Sequence, residues 1–327
     1  MPSINDTVTE MVQWVFPEHA GAPGQIHGGR MMQWIATVGT IAASRVARGN
    51  VALGAMDDID FLHPVRVGEV AVLRAQVELV GRCSLEVGVR VFSENVTTGA
   101  RAVTLNSHLV FIKVDDHMRP APVPAAIEPR DREEEQLYSA ALERRRHRLE
   151  RLTRRKARAA EIGDDDTGGL RWTFESSRSV LPEDTQFGNT MFPGKLLMEV
   201  DEAGGILSMR YNRGLVMTAC LDALDFYAPI SAHEVVTFKA GLNHVGTSSL
   251  EVGVKVLTEV PITGEVRHAC TAYLTFVHLG ADLRPRPCRP FTPETPEERR
   301  RWGEALERRA RRLARVKALR ASINEGR

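Results

Sequence analysis

Thr190 to Gly204 reads TMFPGKLLMEVDEAG, a helical run that carries three carboxylates, Glu199, Asp201 and Glu202. Carboxylates do acid–base work where an apolar setting perturbs them, and are plain surface polarity where water surrounds them. The run is apolar on most sides, which weighs against simple solvation. Much earlier, Gln25 to Gly39 reads QIHGGRMMQWIATVG, a similar run that opens on Gly28-Gly29 and carries no acid. A helix that begins at a Gly-Gly offers free backbone N–H groups and a positive dipole end, suited to a carbonyl oxygen acquiring negative charge. A tight turn is the plainer use of the glycines, and a structural hydrogen bond is the plainer use of His27.

The two stretches belong to an internal repeat. VGRCSLEVGVRVFSENVTTG (Val80 to Gly99) lies over VGTSSLEVGVKVLTEVPITG (Val245 to Gly264) with every position displaced by 165 residues. The same displacement carries Gly29 onto Gly194, Asp57 onto Asp222, Phe61 onto Phe226, Pro64 onto Pro229 and Phe111 onto Phe276. After each copy ALERR recurs, at Ala141 to Arg145 and at Ala305 to Arg309.

Each copy must therefore fold alike: a turn-rich entry, a helix, then strands. Met31, Met32, Trp34, Ile35, Val38, Ile41 and Ala42 follow a helical period over Gly29 to about Arg48 and leave little polar face, so the helix is expected to be buried. VALGAMDDIDFLHPV, EVAVLRAQVELVG, CSLEVGVRVFSE and ARAVTLNSHLVFIKV are Val-rich, partly alternating and separated by turns, which predicts about four antiparallel strands. The fold class is α+β, one sheet curled around one helix in each copy. Glu128 to Ala160 and Pro293 to Ser322 are Arg-rich with spaced leucines and predict amphipathic helices. A charged face turned to water is their plain account, and phosphate binding the other. Glu161 to Gly169 reads as a linker.

The chain's 327 residues suffice for two domains with their own cores. With 43 basic and 42 acidic side chains, no global field calls for nucleic acid or an anionic membrane. Cys83, Cys220, Cys270 and Cys288 form no CxxC pair and no zinc spacing with histidine, so no metal is expected and the thiols read as reduced, in a cytoplasmic protein. Cys83 and Cys270 sit in apolar, strand-like context and read as core. The N-terminus lacks a basic-then-apolar leader, and no apolar run is long enough to span a bilayer.

PEHAGAPGQIHGGRMMQWI, IDFLHPVRVGE and VGRCSLEVGV, each with its partner in the second copy, resemble the acyl-CoA thioesterases of tandem hotdog architecture, similar to cytosolic long-chain acyl-CoA hydrolases. The resemblance covers nearly the whole chain. It implies a hotdog domain over 1–127, a basic helix and linker over 128–169, a second hotdog over 170–292 and a closing helix over 293–327. The activity it implies is hydrolysis of an acyl-CoA thioester, with coenzyme A entering as part of substrate and product and no separate cofactor. It also implies a homotrimer of double hotdogs.

In the family pattern one hotdog offers the amide of the first glycine of HGG, and the other a carboxylate eight residues further along its helix. The first copy has Gly28 but Ala36 at the carboxylate position; the second has Asp201 but Pro193 at the glycine position, and proline has no N–H to donate. One combination survives, Gly28 facing Asp201, with the role of Asp201 open between general base and nucleophile. The family also places a hydroxyl near Thr218. Its loop Asn, seven residues before the glycine, falls on Gly21 in the first copy and Gln186 in the second; His19, Gln25 and His27 are the replacements at hand, beside Gly29. The turns Gly81, Arg82, Cys83, Ser84 and Gly246, Thr247, Ser248, Ser249 match a turn that in these enzymes lies near pantetheine and nucleotide, with Arg82 able to meet a phosphate. They are equally hairpin turns.

Two other readings stand beside hydrolysis. FPGKLLMEVDEAGG also resembles the fatty-acid dehydratases on this fold, with Glu199 as the helix acid and His19 as the nearest histidine. Gly21 and Pro193 leave room for a non-catalytic acyl-CoA binder.

Overall fold

The computed structural model describes residues 1–21, 24–162 and 168–325. Residues 163–167, inside the linker expected at Glu161 to Gly169, lie outside the described residues, as do the last two of the closing helix. The first copy runs β1 (Thr9–Trp14), α1 (Gly28–Ala47), β2 (Val51–Met56), β3 (Ile59–Asp60), β4 (Val70–Val80), β5 (Ser84–Glu94), β6 (Arg101–Lys113) and α2 (Arg132–Ile162). The second repeats it as β7 (Thr173–Ser179), α3 (Pro193–Asn212), β8 (Leu215–Leu221), β9 (Leu224–Asp225), β10 (Val235–Val245), β11 (Ser249–Val260), β12 (Glu265–Leu279) and α4 (Pro296–Glu325).

The sheets are antiparallel, in the orders β1-β4-β5-β6-β2-β9 and β3-β8-β12-β11-β10-β7. Each therefore ends on a short strand from the other copy: Ala55 pairs with Asp225 and Met56 with Leu224, while Ile59 pairs with Leu221 and Asp60 with Cys220. The reciprocal exchange explains why VALGAMDDIDFLHPV is not one strand. The chain breaks at Asp57 and Asp58 so that Ile59 and Asp60 can cross to the other sheet. The edge strands β1 and β7 lie in the segments read as turn-rich entries. Strand β7, TFESSRS, is almost wholly exposed and so lacks the apolar alternation that identifies a strand.

Helix α1 lies in the curl of its sheet and buries Met31, Met32, Ile35, Val38, Ala42 and Ala43 completely. Helix α3 does the same in the second sheet with Leu196, Leu197, Val200 and Leu207. Both helices end on an arginine in the left-handed region, Arg48 at φ 49° and Arg213 at φ 56°, each closing on the carbonyl four residues back. They meet each other at their N-terminal ends, and glycine is what permits it. A Cβ on Gly29 would stand 2.7 Å from Met198 Cα, and one on Gly194 would stand 3.1 Å from Gln33 Cα, the equivalent place in the repeat.

The Arg-rich helices are not simply solvated. Arg148 of α2 pairs at 3.0 Å with both Asp57 and Glu86, and Arg312 of α4 pairs with Asp222 at 2.9 Å; Arg148 and Arg312 are buried. Burial pushes Asp222 up to about 6 even beside Arg312. One helical turn on, the pairing crosses between copies: Arg151 holds Asp225 at 2.8 Å and Arg315 holds Asp60 at 2.6 Å. Each basic helix thus clamps the strand that the other copy lends to its sheet. The reading of these faces as solvated fails because the acids they meet lie on strands distant in sequence.

Candidate active site

The three acids of α3 have different fates. Glu202 is exposed, Glu199 accepts a hydrogen bond from Arg178 Nε at 3.0 Å, and Asp201 is 1 % exposed. Asp201 sits two turns into α3 and points across the interface at the start of α1. Its Oδ2 accepts the Gly29 N–H at 2.7 Å and its Oδ1 accepts the Thr218 hydroxyl at 2.7 Å. His27 Nδ1 lies 3.4 Å from Oδ2. Burial raises the Asp201 carboxyl above its ordinary range, while His27, the Thr218 hydroxyl and the Gly29 N–H oppose that rise.

Gly28 is the first residue of α1, and among the described residues its N–H has no acceptor. A Cβ there would stand 2.6 Å from Thr218 Cβ and Oγ1 and 3.0 Å from Asp201 Oδ2. The free amide, the carboxylate and the hydroxyl thus share one small space. The hydrogen bond to Gly29 means that the second glycine's amide is occupied by the acid itself, which leaves Gly28 to face a ligand.

The loop before the helix is arranged differently from the family pattern. Gly21 donates its N–H to the Gln25 carbonyl at 2.9 Å and has no side chain to offer. Gln25 Oε1 is buried and has no hydrogen-bond partner among the described residues. His19 is turned away: its Nδ1 accepts the Phe16 N–H at 3.2 Å and its ring packs edge-on against Trp34. Of the three replacements, His27 is the one in contact with Asp201. His19 and Glu199 are each engaged elsewhere, so the pair needed for a dehydratase is not assembled.

The candidate coenzyme turns are both hairpin turns. Gly81 N–H donates to the Ser84 carbonyl and Gly246 N–H to the Ser249 carbonyl, each at 2.7 Å, and Arg82 and Thr247 point outward, exposed. The chain returning from β6 and β12 is tied to them, Val123 N–H to the Arg82 carbonyl and Cys288 N–H to the Thr247 carbonyl. Cys83 and Ser248 accept at their carbonyls from Lys113 and His278. Cys83 is half-buried in its turn rather than in the core; Cys270 is fully buried on β12, where burial pushes its thiol up to about 12. Among the described residues no group of three His, Cys, Asp or Glu side chains could hold a metal ion, and no helix is long and apolar enough to cross a membrane.

Two helices wrapped by antiparallel sheets, paired so that a helix-terminal amide of one meets a buried carboxylate of the other, define a tandem hotdog protein with a cross-domain site. The chain belongs to the thioesterase superfamily, whose model matches residues 23–100 and again 188–265. A cytosolic acyl coenzyme A thioester hydrolase of Homo sapiens is 28% identical over 306 residues, spanning 88% of this chain and 79% of that protein. An uncharacterized acyl-CoA thioester hydrolase of Bacillus subtilis is 39% identical over 145 residues, 44% of this chain and 84% of the relative. Among solved structures, an acyl-ACP thioesterase from Bacteroides thetaiotaomicron matches with a TM-score of 0.52 at 12% identity, over 84% of this chain and 99% of that one, a likeness of fold.

Proposed function

We propose that this protein hydrolyses acyl-CoA thioesters to a free carboxylic acid and coenzyme A at one site per chain, built from Gly28 of the first copy and Asp201 of the second. The observation that carries the reading is the Asp201 carboxylate, buried against the start of α1 and held there by Gly29 and Thr218. The thioester carbonyl oxygen accepts the free Gly28 N–H, where the helix dipole favours the negative charge that develops on it. Asp201 takes a proton from water as the oxygen attacks the carbonyl carbon. The carbon–sulfur bond then breaks, and the proton passes to the departing thiolate.

Asp201 is assigned general-base action on water; each of its oxygens accepts one hydrogen bond, which fixes the carboxylate, and keeps a second lone pair for the water. His27, in contact with Asp201, steadies the carboxylate from the loop where the family pattern has an Asn. The turn Gly246–Ser249 receives coenzyme A for this site; the first-copy turn is set aside because Gly81 and Ser84 border a cavity that shares Gly54, Ile112 and Phe226 with the one lined by Pro193.

The likeness to a cytosolic human relative supports action in the cytoplasm, and the assembly proposed is a homotrimer. Its two sheets end on uncovered edges, β1 and β7, and Val12, Trp14 and Phe16 stand exposed in and after β1, a surface suited to another copy. Sedimentation at equilibrium tests the assembly: three chains are expected, and a monomer would overturn it.

The activity itself is tested by thiol release from a panel of acyl-CoAs with purified protein. No release with any acyl chain, alongside tight binding of the same compounds, would favour a non-catalytic binder.

A further inference from the structure

The displacement that maps Gly28 onto Pro193 also maps Thr218 onto Leu53 and Asp201 onto Ala36, so the free amide, the hydroxyl and the acid of the active site are each missing at their counterparts in the repeat. The frame around that mirror image is nevertheless kept. Phe226 N–H donates to the Gly54 carbonyl at 3.0 Å, as Phe61 N–H does to the Ala219 carbonyl at 3.0 Å on the catalytic side. The space is kept as well. A cavity of about 340 Å³ is lined by Leu53, Gly54, Ile112, Pro193, Leu196 and Phe226 among others. A second cavity, of about 370 Å³, shares Gly54, Ile112 and Phe226 with the first and runs on to Gly81, Ser84 and Arg145.

The second cavity supplies a charge. Its Arg148 is ion-paired with Asp57 and Glu86, but Arg145 makes no ion pair among the described residues, and its Nη1 lies 3.5 Å from where a Cβ on Gly81 would stand. An apolar pocket leading to an unpaired guanidinium beside a half-buried turn matches a ligand with an apolar chain at one end and phosphates at the other.

We infer that the Pro193 pocket is a second binding site for an acyl-CoA, which it holds without cleaving. The acyl chain and pantetheine lie in the apolar cavities and a coenzyme phosphate meets Arg145. The carbonyl is not activated, because Pro193 has no N–H to give it and no carboxylate stands at Ala36 to raise a nucleophile. The ligand class rests on the reading of the catalytic side as a CoA thioesterase. The pocket itself rests on its own lining.

Equilibrium dialysis of the intact protein against S-alkyl-CoA thioethers of short, medium and long chain tests the inference, since a thioether cannot be hydrolysed at either site. Two molecules bound per chain are expected for the best-held chain length. Arg145→Glu, and separately Ala228→Trp, which fills the first cavity, should each reduce this to one while thiol release from acyl-CoA stays within about twofold of wild type. That retained hydrolysis shows that each variant is folded, and if the tryptophan disrupts folding the surface Arg145→Glu stands alone. One molecule per chain in wild type, or two that neither substitution removes, would overturn the second site. Absence of thiol release from wild type would instead overturn the catalytic reading, while a bound thioether displaced by Arg145→Glu would still establish the Pro193 pocket.

Discussion

The N–H of Gly29 donates to Asp201 Oδ2 at 2.7 Å across 172 residues of sequence, and this bond joins the start of one central helix to the interior of the other. It orders the acid and leaves the amide of Gly28 open. Its repeat equivalent cannot exist, because the position matching Asp201 is Ala36.

Thr218→Val should lower kcat by about ten- to a hundredfold with little change in KM, since a hydrogen bond to a charged group contributes roughly 1.5–3 kcal/mol. Valine keeps the shape of the side chain and removes the hydroxyl that Asp201 Oδ1 accepts. Steady-state thiol release checks it, and unchanged kcat would remove Thr218 from the site.

The acid limb of the pH profile should sit above the ordinary carboxylate range, because burial raises Asp201. The base must be ionised to act, so kcat/KM falls as pH drops through the raised value and reaches its plateau above it. Thr218→Val removes a group that favours the ionised form, and should move the limb further up. A limb that stayed put would mean that it reports another group.

Gly29→Ala should destabilise the fold by about 1–3 kcal/mol, a range typical of overpacking. The added Cβ would meet Met198 Cα at 2.7 Å, and backbone gives way less readily than a flexible side chain. Chemical denaturation measures the loss, and a variant as stable as wild type would show that the two helices can slide apart freely.

Arg315→Ala should lower stability by about 3–5 kcal/mol, the loss typical of leaving a buried partner charge unpaired. Arg315 holds Asp60 at 2.6 Å and Asp58 at 2.9 Å, both on the segment lent to the second sheet. The midpoint of urea unfolding gives the measure; a change below about 1 kcal/mol would reduce the clamp to an ordinary surface pair.

The repeat made much of the fold legible in the sequence, because the buried helices and long strands carry their apolar periods in both copies. Strand β7 was hidden by its exposure, and β3 and β9 by their length of two residues and their exchange between sheets. The pairing of Gly28 with Asp201 was legible as complementary losses, Pro193 and Ala36. The pairs made by Arg148, Arg151, Arg312 and Arg315 were not, since a charged helix in isolation gives no sign of acids buried on distant strands. Nor could the sequence tell which of His19, Gln25 and His27 touches Asp201, since that depends on the direction of each ring or amide in the loop.

If Asp201 is the acid of the sole hydrolytic site, Asp201→Asn should reduce steady-state thiol release by about a thousandfold or more, given that general base catalysis contributes roughly 10²–10⁴. The fold should survive. An amide can still accept the Gly29 N–H and donate to Thr218, and it removes an ionisation that burial disfavours, so its melting temperature at neutral pH should equal or exceed that of wild type. Sign matters here: with its folded pKa raised, Asp201 subtracts stability as pH climbs from the ordinary carboxylate range through the raised value, and asparagine abolishes that dependence. The decisive measurement is thiol release by this folded variant: near-complete loss is expected, and turnover within about tenfold of wild type would place the chemistry somewhere other than between Gly28 and Asp201.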